Sequence, residues 1–176
     1  MDEVTGLALA AGKGDRLALH GFVRATQAEV WRLCAHLASR DEADDLVQET
    51  YVRAMRALPS FRAEASARTW LLAIARRAVY DSYRSGRRRR LLKERVRTAS
   101  PAPDPGGEVS VRLAISALEP GRRAAFVSTQ LLGLSYEEAA EVCDCPVGTI
   151  RSRVARARQD LIDAIGDGRH RARSHQ

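Results

Sequence analysis

Residues 135–165, SYEEAAEVCDCPVGTIRSRVARARQDLIDAI, constrain the fold of this chain more than any other stretch. Ser135 followed three residues later by Glu138 is the pattern of a capping box, which begins a short helix. Residues 143–145 suit a tight turn, and Pro146 suits the start of a second helix because its missing N–H needs no partner there. The stretch therefore predicts two helices joined by a tight turn.

The second of these helices has an apolar side and a basic side. The apolar stripe, suited to packing on the first helix, consists of Ile150, Val154, Ala157 and Leu161. The other side carries Ser152, Ala155, Arg156 and Gln159, flanked by Arg151, Arg153 and Arg158. Arginine can bond guanine O6 and N7 with two N–H groups, and a serine hydroxyl can bond a base edge or a phosphate. This pattern is typical of a helix-turn-helix that enters a DNA major groove, although a solvated basic helix in a bundle has the same periodicity.

Composition favours a soluble helical protein with a polyanionic partner. Hydrophobic residues make up 45% of the 176 residues but aromatic residues only 5%, so the cores should consist of Leu, Val, Ile and Ala. A net charge of +7 indicates binding to nucleic acid or to an anionic membrane surface. No stretch approaches the ~18 apolar residues of a membrane-spanning helix, and the first residues lack the pattern of a signal peptide. We therefore expect a cytoplasmic location.

A Pro- and Gly-rich stretch divides the chain. Residues 100–107, SPAPDPGG, hold three of the six prolines, and residues 87–90 are four consecutive arginines, which repel one another. We expect this linker to leave the two halves independent. The predicted fold is all-α with two small helical domains: residues 1–85, a flexible basic linker at 86–110, a C-terminal domain with the helix-turn-helix at 111–165, and a disordered basic tail at 166–176.

The first domain is predicted to begin with a frayed or short helical lead-in, followed by three helices. Apolar spacing predicts these helices over about 15–37, 39–58 and 69–84. The outer face of the second helix carries Asp45, Gln48, Glu49 and Val52. An acidic patch with an exposed valine is unusual in a basic protein. It is either a solvated surface or a docking site for a basic partner, and composition alone favours the solvated surface.

The helix at 69–84 places aromatic and basic residues on one arc. Its buried side is predicted to consist of Leu71, Ile74, Ala75, Ala78 and Ser82. The opposite, exposed arc consists of Trp70, Arg76, Arg77, Tyr80 and Arg84. Rings can stack on unpaired bases while guanidinium groups hold phosphates, so this arc favours binding to single-stranded or opened nucleic acid. The alternative is an ordinary amphipathic helix in which Trp70 covers the core.

Three cysteines, an odd number, argue against a disulfide framework. Cys143 and Cys145 lack a second ligand pair at zinc spacing, so we interpret Cys34, Cys143 and Cys145 as small buried residues. A thiol-based or metal-responsive sensor is the alternative. The chain has no Gly-rich phosphate loop and no nucleophile–base pair, so we expect no catalysis, no metal, no cofactor and no small-molecule substrate.

Two motif blocks, in this order, resemble a known family. They are DEADDLVQETYVRAMRALPSF with ARTWLLAIARRAVYDSYR and, after the linker, GLSYEEAAEVCDCPVGTIRSRVARAR. They are similar to bacterial RNA polymerase sigma factors of the sigma-70 family, in the extracytoplasmic-function (ECF) group, over about Leu17 to Ile165. The resemblance implies a factor that directs core RNA polymerase to promoters by reading their −35 and −10 elements and that promotes DNA melting. The alternative is a stand-alone helix-turn-helix regulator with a helical sensor domain.

The resemblance assigns a role to each surface. It implies docking on the clamp helices of the largest polymerase subunit by Asp45, Gln48, Glu49 and Val52. It implies capture and melting of the downstream (−10) element by Arg62, Ser66, Arg68, Thr69, Trp70, Arg76, Arg77, Tyr80 and Arg84. It implies binding of the upstream (−35) element at bases by Arg151, Ser152 and Arg156, and at phosphates by Thr149, Arg153 and Arg158. Arg77 stands where the family often has Asn.

The resemblance also implies the partners. These are core RNA polymerase, through the clamp helices and the flap of the second-largest subunit, then promoter DNA, and a cognate anti-sigma factor that masks both domains. A sigma factor bound to polymerase associates with the nucleoid, whereas an anti-sigma factor can hold it at the membrane.

Overall fold

The computed structural model describes the backbone of residues 2–93 and 107–173, and the side chains of residues 2–85 and 111–164. Within these ranges the regular structure is helical, which confirms the predicted all-α fold. The α-helices are α1 (Glu3–Gly12), α2 (Arg16–Leu37), α3 (Arg40–Ala57), α4 (Ala67–Lys93), α5 (Gly107–Ala117), α6 (Pro120–Phe126), α7 (Tyr136–Cys143) and α8 (Val147–Arg173). A 3₁₀ turn (Leu58–Ser60) follows α3, and a π-helical turn (Val127–Leu131) follows α6.

Helices α1 to α4 form the first domain. Its core is mainly aliphatic, with Phe22 and Tyr51 as buried aromatic residues. The largest apolar side chains with almost no exposure are Phe22, Val30, Leu33, Leu71, Leu72 and Val79. Ser39 caps α3 by accepting a hydrogen bond from the Glu42 amide, as the acidic first turn predicts. The sequence analysis did not assign Leu72 and Val79 to the buried side of α4, but both are buried. It did assign Ser82 to that side, and Ser82 is exposed.

Helix α1 is an integral part of this domain rather than a frayed lead-in. Asp2 caps it, and Thr5 and Ala8 are buried against the rest of the domain. The Thr5 hydroxyl oxygen accepts a hydrogen bond of 3.0 Å from the amide of Ala67, the first residue of α4. The first helix therefore fixes where the fourth begins.

Helices α5 to α8 form the second domain, and α7 and α8 form the predicted helix-turn-helix. The capping box is present, since Ser135 and Glu138 each bond the other's backbone amide. Asp144 ends α7 in the left-handed conformation, with φ of 51°. Ile150, Val154 and Ala157 are almost fully buried, so the predicted apolar stripe is confirmed.

Two helices continue past the ends that the sequence predicts. Helix α4 runs to Lys93 instead of ending near residue 85, and α8 runs to Arg173 through most of the predicted disordered tail. Each glycine costs a helix only about 1 kcal/mol; the α4 extension contains one, Gly86, and the α8 extension two, Gly166 and Gly168. Neither extension contains a proline, so neither has a strong stop signal. The remainder of the predicted linker and tail, residues 94–106 and 174–176, lies outside the described residues.

The two domains pack against each other. Helix α4 contacts α7, and α2 contacts α5, α6 and the π-helical turn. Buried residues of both domains form one continuous apolar cluster. The expectation that the linker leaves the halves independent is therefore wrong for this structure. Apolar side chains on both domains lie within reach of each other, and burying them is favourable whatever the linker sequence.

Alanine substitutions at two glycines of α1 are expected to change the free energy of unfolding in opposite directions. A Cβ at Gly12 would lie 2.5 Å from the carbonyl oxygen of Leu58, whereas a Cβ at Gly6 would meet nothing within 4 Å. We expect Gly12→Ala to lower the free energy of unfolding by roughly 1–3 kcal/mol through overpacking. Gly6→Ala should raise it by about 0.5–1 kcal/mol, since alanine favours the helix. Urea unfolding measures both, and equal effects of the two substitutions would contradict the observed docking of α1.

Candidate nucleic-acid and docking surfaces

The outer face of α8 is open to a ligand. Arg151, Ser152, Ala155 and Arg156 are all exposed. The Ser152 hydroxyl bonds only the carbonyl of Thr149 in its own helix, at 3.0 Å. No ion pair among the described side chains involves Arg151 or Arg156. This face therefore presents two available guanidinium groups and a hydroxyl beside a small residue, which suits close approach to base edges.

Two other arginines of α8 contact other parts of the second domain. Arg153 is half-buried, and its Nη1 lies 3.6 Å from the Cys145 sulfur. Its guanidinium covers Gly121 of α6, where a Cβ would lie 3.1 Å from the Arg153 Cζ. Arg158 donates a 2.8 Å hydrogen bond to the side chain of Gln130 in the π-helical turn. These contacts hold α8 against α6 and the turn, so both arginines orient the helix.

The first half of α4 faces the second domain. Arg68 donates two hydrogen bonds to Glu29, of 2.7 and 2.8 Å, and a third of 2.6 Å to the carbonyl of Leu132 in the second domain. The hydrogen bonds that Arg68 donates to the Glu29 carboxylate raise the pKa of Arg68, so its cationic form is favoured. Arg68 thus contacts both domains at once.

The aromatic and basic arc of α4 is covered rather than exposed. The Arg76 guanidinium lies over the Tyr80 ring at 4.6 Å, a cation–π contact. The Tyr80 hydroxyl donates to the carbonyl of Pro120 in the second domain, at 3.0 Å, and burial raises its pKa. Trp70 is half-buried with its ring 4.8 Å from that of Phe61. The expectation of a fully exposed arc is therefore wrong in this arrangement: of its five residues only Arg77, in the middle, and Arg84, at the far end, are exposed.

The loop before α4 is ordered by its own hydrogen bonds. The Ser66 hydroxyl accepts from the Thr69 amide at 3.1 Å and donates to the Thr69 hydroxyl at 2.9 Å, which caps α4. Thr69 itself is buried, with 2% exposure. Arg62 is exposed next to Ala63, whose φ of 57° is unusual for a residue other than glycine. The loop thus presents Arg62 outward on a defined backbone.

The acidic face of α3 lies outward as predicted, and its carboxylates are not equivalent. Asp45, Gln48 and Glu49 are exposed, and Val52 is 43% exposed. Arg53 is not free, because it donates to Asp81 of α4 at 2.6 Å and to Glu49 at 2.7 Å. These contacts raise the pKa of Arg53, with the hydrogen bond to Asp81 as the main cause. Arg53 therefore partly neutralises the charge of Glu49. Asp45 has no ion-pair partner among the described side chains.

The sequence analysis missed an apolar extension of this face. Met55 and Leu17 are 46% and 85% exposed, and together with Val23 they line a hollow between α2 and α3. Val52 and Met55 are three residues apart on one helix face, so the acidic patch continues into an apolar one. The helical spacing of Val52 and Met55 was a usable signal, whereas the position of Leu17 beside them required the fold.

The cysteines do not form a ligand cluster. No group of three or more His, Cys, Asp or Glu side chains in the described part of the chain is placed to hold a metal ion. Burial raises the pKa of Cys34 to about 12 and that of Cys143 to about 11. Cys145 is only half-buried, in contrast to the interpretation of all three as buried. Among the described helices, none is long and apolar enough to span a bilayer.

Comparisons with known proteins find matches over both domains. The family model of sigma-70 region 2 matches residues 22–90, and that of sigma-70 region 4 matches residues 108–161. The ECF RNA polymerase sigma factor SigC of Mycobacterium tuberculosis is 50% identical over 170 residues, covering 92% of this chain and 90% of the relative. The ECF RNA polymerase sigma-E factor of Escherichia coli is 34% identical, covering 87% and 89%.

Solved structures of similar fold contain partner proteins. The sigma factor RpoE of Bartonella quintana, in complex with the anti-sigma factor NepR, superposes with a TM-score of 0.75 at 29% identity, covering 84% of this chain and 96% of that one. CnrH, in complex with the cytosolic domain of CnrY, superposes with a TM-score of 0.74 at 28% identity, covering 94% and 99%.

The two domains are thus the two conserved regions of sigma-70 type sigma factors. The chain belongs to the ECF group of this family. It is a factor that directs RNA polymerase to promoters and not an enzyme.

The differing burial of the cysteines predicts their order of reaction with a thiol reagent. At pH 8 the raised pKa values leave Cys34 and Cys143 almost entirely as thiols, which are poor nucleophiles, and burial also blocks access. We expect native protein to take up iodoacetamide at Cys145 at least about tenfold faster than at the other two. Peptide mass spectrometry measures the rates, and urea-unfolded protein, in which all three should react, is the control. Comparable rates at Cys34 in native protein would contradict its burial.

Proposed function

We propose that this chain reads the upstream promoter element with α8 and the downstream element with α4 and the loop before it, while α3 docks on core polymerase. One observation carries the proposal: α8 exposes Arg151, Ser152 and Arg156 on one face. Contacts within the second domain hold this helix in place. Arg153 and Arg158, which we also propose to lie near phosphates, contribute mainly by holding that helix in place. Thr149, half-buried at the start of α8, is proposed to bond a phosphate.

The downstream element is proposed to bind along α4. Arg62, Arg77 and Arg84 are exposed and are suited to hold the phosphates of the non-template strand. Hydrogen bonds between Ser66 and Thr69 set the geometry of the loop next to Trp70, where an extruded base is proposed to bind. Arg68, Arg76 and Tyr80 belong to the same site, but the second domain now covers them. Extruding a base costs a few kcal/mol, which such a site offsets by stacking and hydrogen bonds.

Docking is proposed to involve one face on each domain. Asp45, Gln48, Glu49 and Val52 of α3 present the acidic and apolar surface for the clamp helices of the largest subunit. On the second domain, α5 packs against α8 and exposes Val111 and Leu113, at 49% and 52%. Ile162 of α8 is 64% exposed. Such apolar side chains on two adjacent helices suit the flap of the second-largest subunit.

A cognate anti-sigma factor is proposed as a further partner, with the cytoplasm as the site of action. The similar solved structures are complexes with an anti-sigma factor in one case and with the cytosolic domain of CnrY in the other. The superpositions cover 84% and 94% of this chain, so each includes residues of both domains. The acidic face of α3 is exposed in this arrangement and suits a basic segment of such a partner.

Run-off transcription from a promoter library, with core polymerase and with or without the chain, tests the function. We expect initiation at a selected set of promoters only when the chain is present. Asp45→Arg should reduce this initiation and core binding more than about tenfold, because like charges across an interface cost several kcal/mol. Glu3→Arg, at an exposed position of α1, is the matched control for charge. Specific DNA binding by the free chain without chain-dependent initiation would favour the stand-alone regulator, and normal core binding by Asp45→Arg would reject the docking face.

Arg156 is expected to read a base pair of the upstream element. Arg156→Ala should cost roughly 1–3 kcal/mol at one position and relax the base preference there. Arg156→Lys should lose the same preference but keep more of the overall affinity, because lysine retains the charge without the two-pronged donor geometry. Binding to a set of single-base variants of the selected promoter measures both. Unchanged preference in Arg156→Ala would remove this residue from the reading face.

A further inference from the structure

The guanidinium group of Arg153 lies between the start of α6 and the turn of the helix-turn-helix. On the α6 side, a Cβ placed on Gly121 would lie 3.1 Å from the Arg153 Cζ and 3.2 Å from its Nε. On the other side, the Arg153 Nη1 lies 3.6 Å from the sulfur of Cys145, in the turn between α7 and α8. One side chain of α8 therefore contacts both α6 and the turn.

This contact uses the missing side chain of Gly121 rather than a special backbone conformation. In the described part of the chain the glycines with positive φ are Gly14 and Gly133, so the backbone of Gly121 is accessible to any residue. Gly121 is the second residue of α6, where alanine would favour the helix more than glycine does. A Cβ at this position would be too close to the Arg153 guanidinium unless the guanidinium moved.

Glu119 supplies negative charge beside the same guanidinium. Its carboxylate caps α6 by accepting hydrogen bonds from the amides of Gly121 and Arg122, at 2.9 and 3.0 Å. The bond from Gly121 is the main cause of the lowered pKa of Glu119, and the positive charge of Arg153 lowers it further. The carboxylate is therefore anionic at neutral pH and attracts the guanidinium toward the start of α6.

Arg153 lies in the same turn of α8 as the residues proposed to read bases. Ser152 and Arg156 are exposed, whereas Arg153 is half-buried against its own domain. A bidentate contact with a base requires two hydrogen bonds of good geometry at once, so it tolerates only a small displacement of the helix. A residue that fixes the angle of α8 can thus change base preference without touching DNA.

We propose that Gly121 and Glu119 form a seat for the Arg153 guanidinium, which fixes the angle of α8 and makes Gly121 a specificity-determining residue for the upstream element. The inference rests on the proposed function, because it takes α8 as the reader of that element. It deepens that function by assigning a role to two residues of α6 outside the reading face. Arg153 is a positioning residue, and Gly121 acts through it.

Gly121→Val tests the seat, because its methyl groups would occupy the space that the guanidinium fills. The holoenzyme transcribes promoters selected in the run-off assay, with single-base changes in either element. We expect the preference among bases of the upstream element to fall about fivefold or more, since a displaced helix loses part of the discrimination of a bidentate contact. The preference in the downstream element should stay as in the wild type, whereas simple destabilisation would lower initiation at all promoters alike.

Gly6→Val is the matched control, because it is the same substitution in a helix where a Cβ would meet nothing within 4 Å. It should keep the preferences for both elements. An upstream preference in Gly121→Val as sharp as in the wild type would overturn the proposal.

Arg153→Met shows whether Gly121 acts through Arg153. This substitution should itself relax the upstream preference, and adding Gly121→Val should then have little further effect. Effects of two residues that act through one contact do not add, whereas those of independent residues do. Additive losses of preference in the double variant would overturn the proposal.

Alkylation of Cys145 in the free chain reports the position of the guanidinium without DNA. Gly121→Val should react faster with iodoacetamide at Cys145, because the guanidinium that lies against the sulfur is displaced, while circular dichroism shows unchanged helix content. An unchanged rate would contradict the proposed displacement. Run-off transcription by the wild type separates the two hypotheses. Absence of chain-dependent initiation rejects the proposed function, whereas normal promoter selection that Gly121→Val leaves intact rejects only the role of Gly121.

Discussion

The burial of α4 on two sides is the constraint on which the rest of the structure depends. Leu71, Leu72 and Val79 fill the core of the first domain, while Arg68 and Tyr80 contact the second. A helix covered on both sides has little freedom to rotate or shift, because a change of register would expose apolar area on one side and break hydrogen bonds on the other. The positions of the proposed promoter-binding surfaces depend on this one helix.

The arginines of this basic chain have different functions because their surroundings differ. Arg53, Arg122 and Arg158 make hydrogen bonds that hold neighbouring helices together. Arg151 and Arg156 point to solvent on a helix already fixed by its apolar stripe. Net charge alone predicts a polyanionic partner. Whether an arginine holds helices together or stays available for DNA depends on which acceptors lie within reach of its guanidinium group.

Local signals in the sequence were reliable where short-range physics decides the structure. The capping box of Ser135, the cap at Ser39 and the buried stripe through Val154 are all determined by residues within one or two helical turns. The ends of α4 and α8, expected near residues 85 and 165, were harder to predict. A helix ends only where a residue such as proline makes the next helical turn unfavourable, and neither stretch contains one. The covered arc of α4 was missed because its aromatic and basic pattern also fits an exposed face.

The sequence by itself determined the all-α class, the helix-turn-helix and the outward direction of Asp45 and Arg156, since periodicity assigns each residue to a face of its helix. The tertiary structure alone decided which faces meet. It placed Arg123 between the ends of α2 and α5 and turned Tyr80 toward the second domain. The contacts of Arg123 with Leu37 and of Tyr80 with Pro120 join residues that are 86 and 40 positions apart in sequence. No local pattern encodes such pairs, because they depend on how the apolar surfaces of the two domains come together.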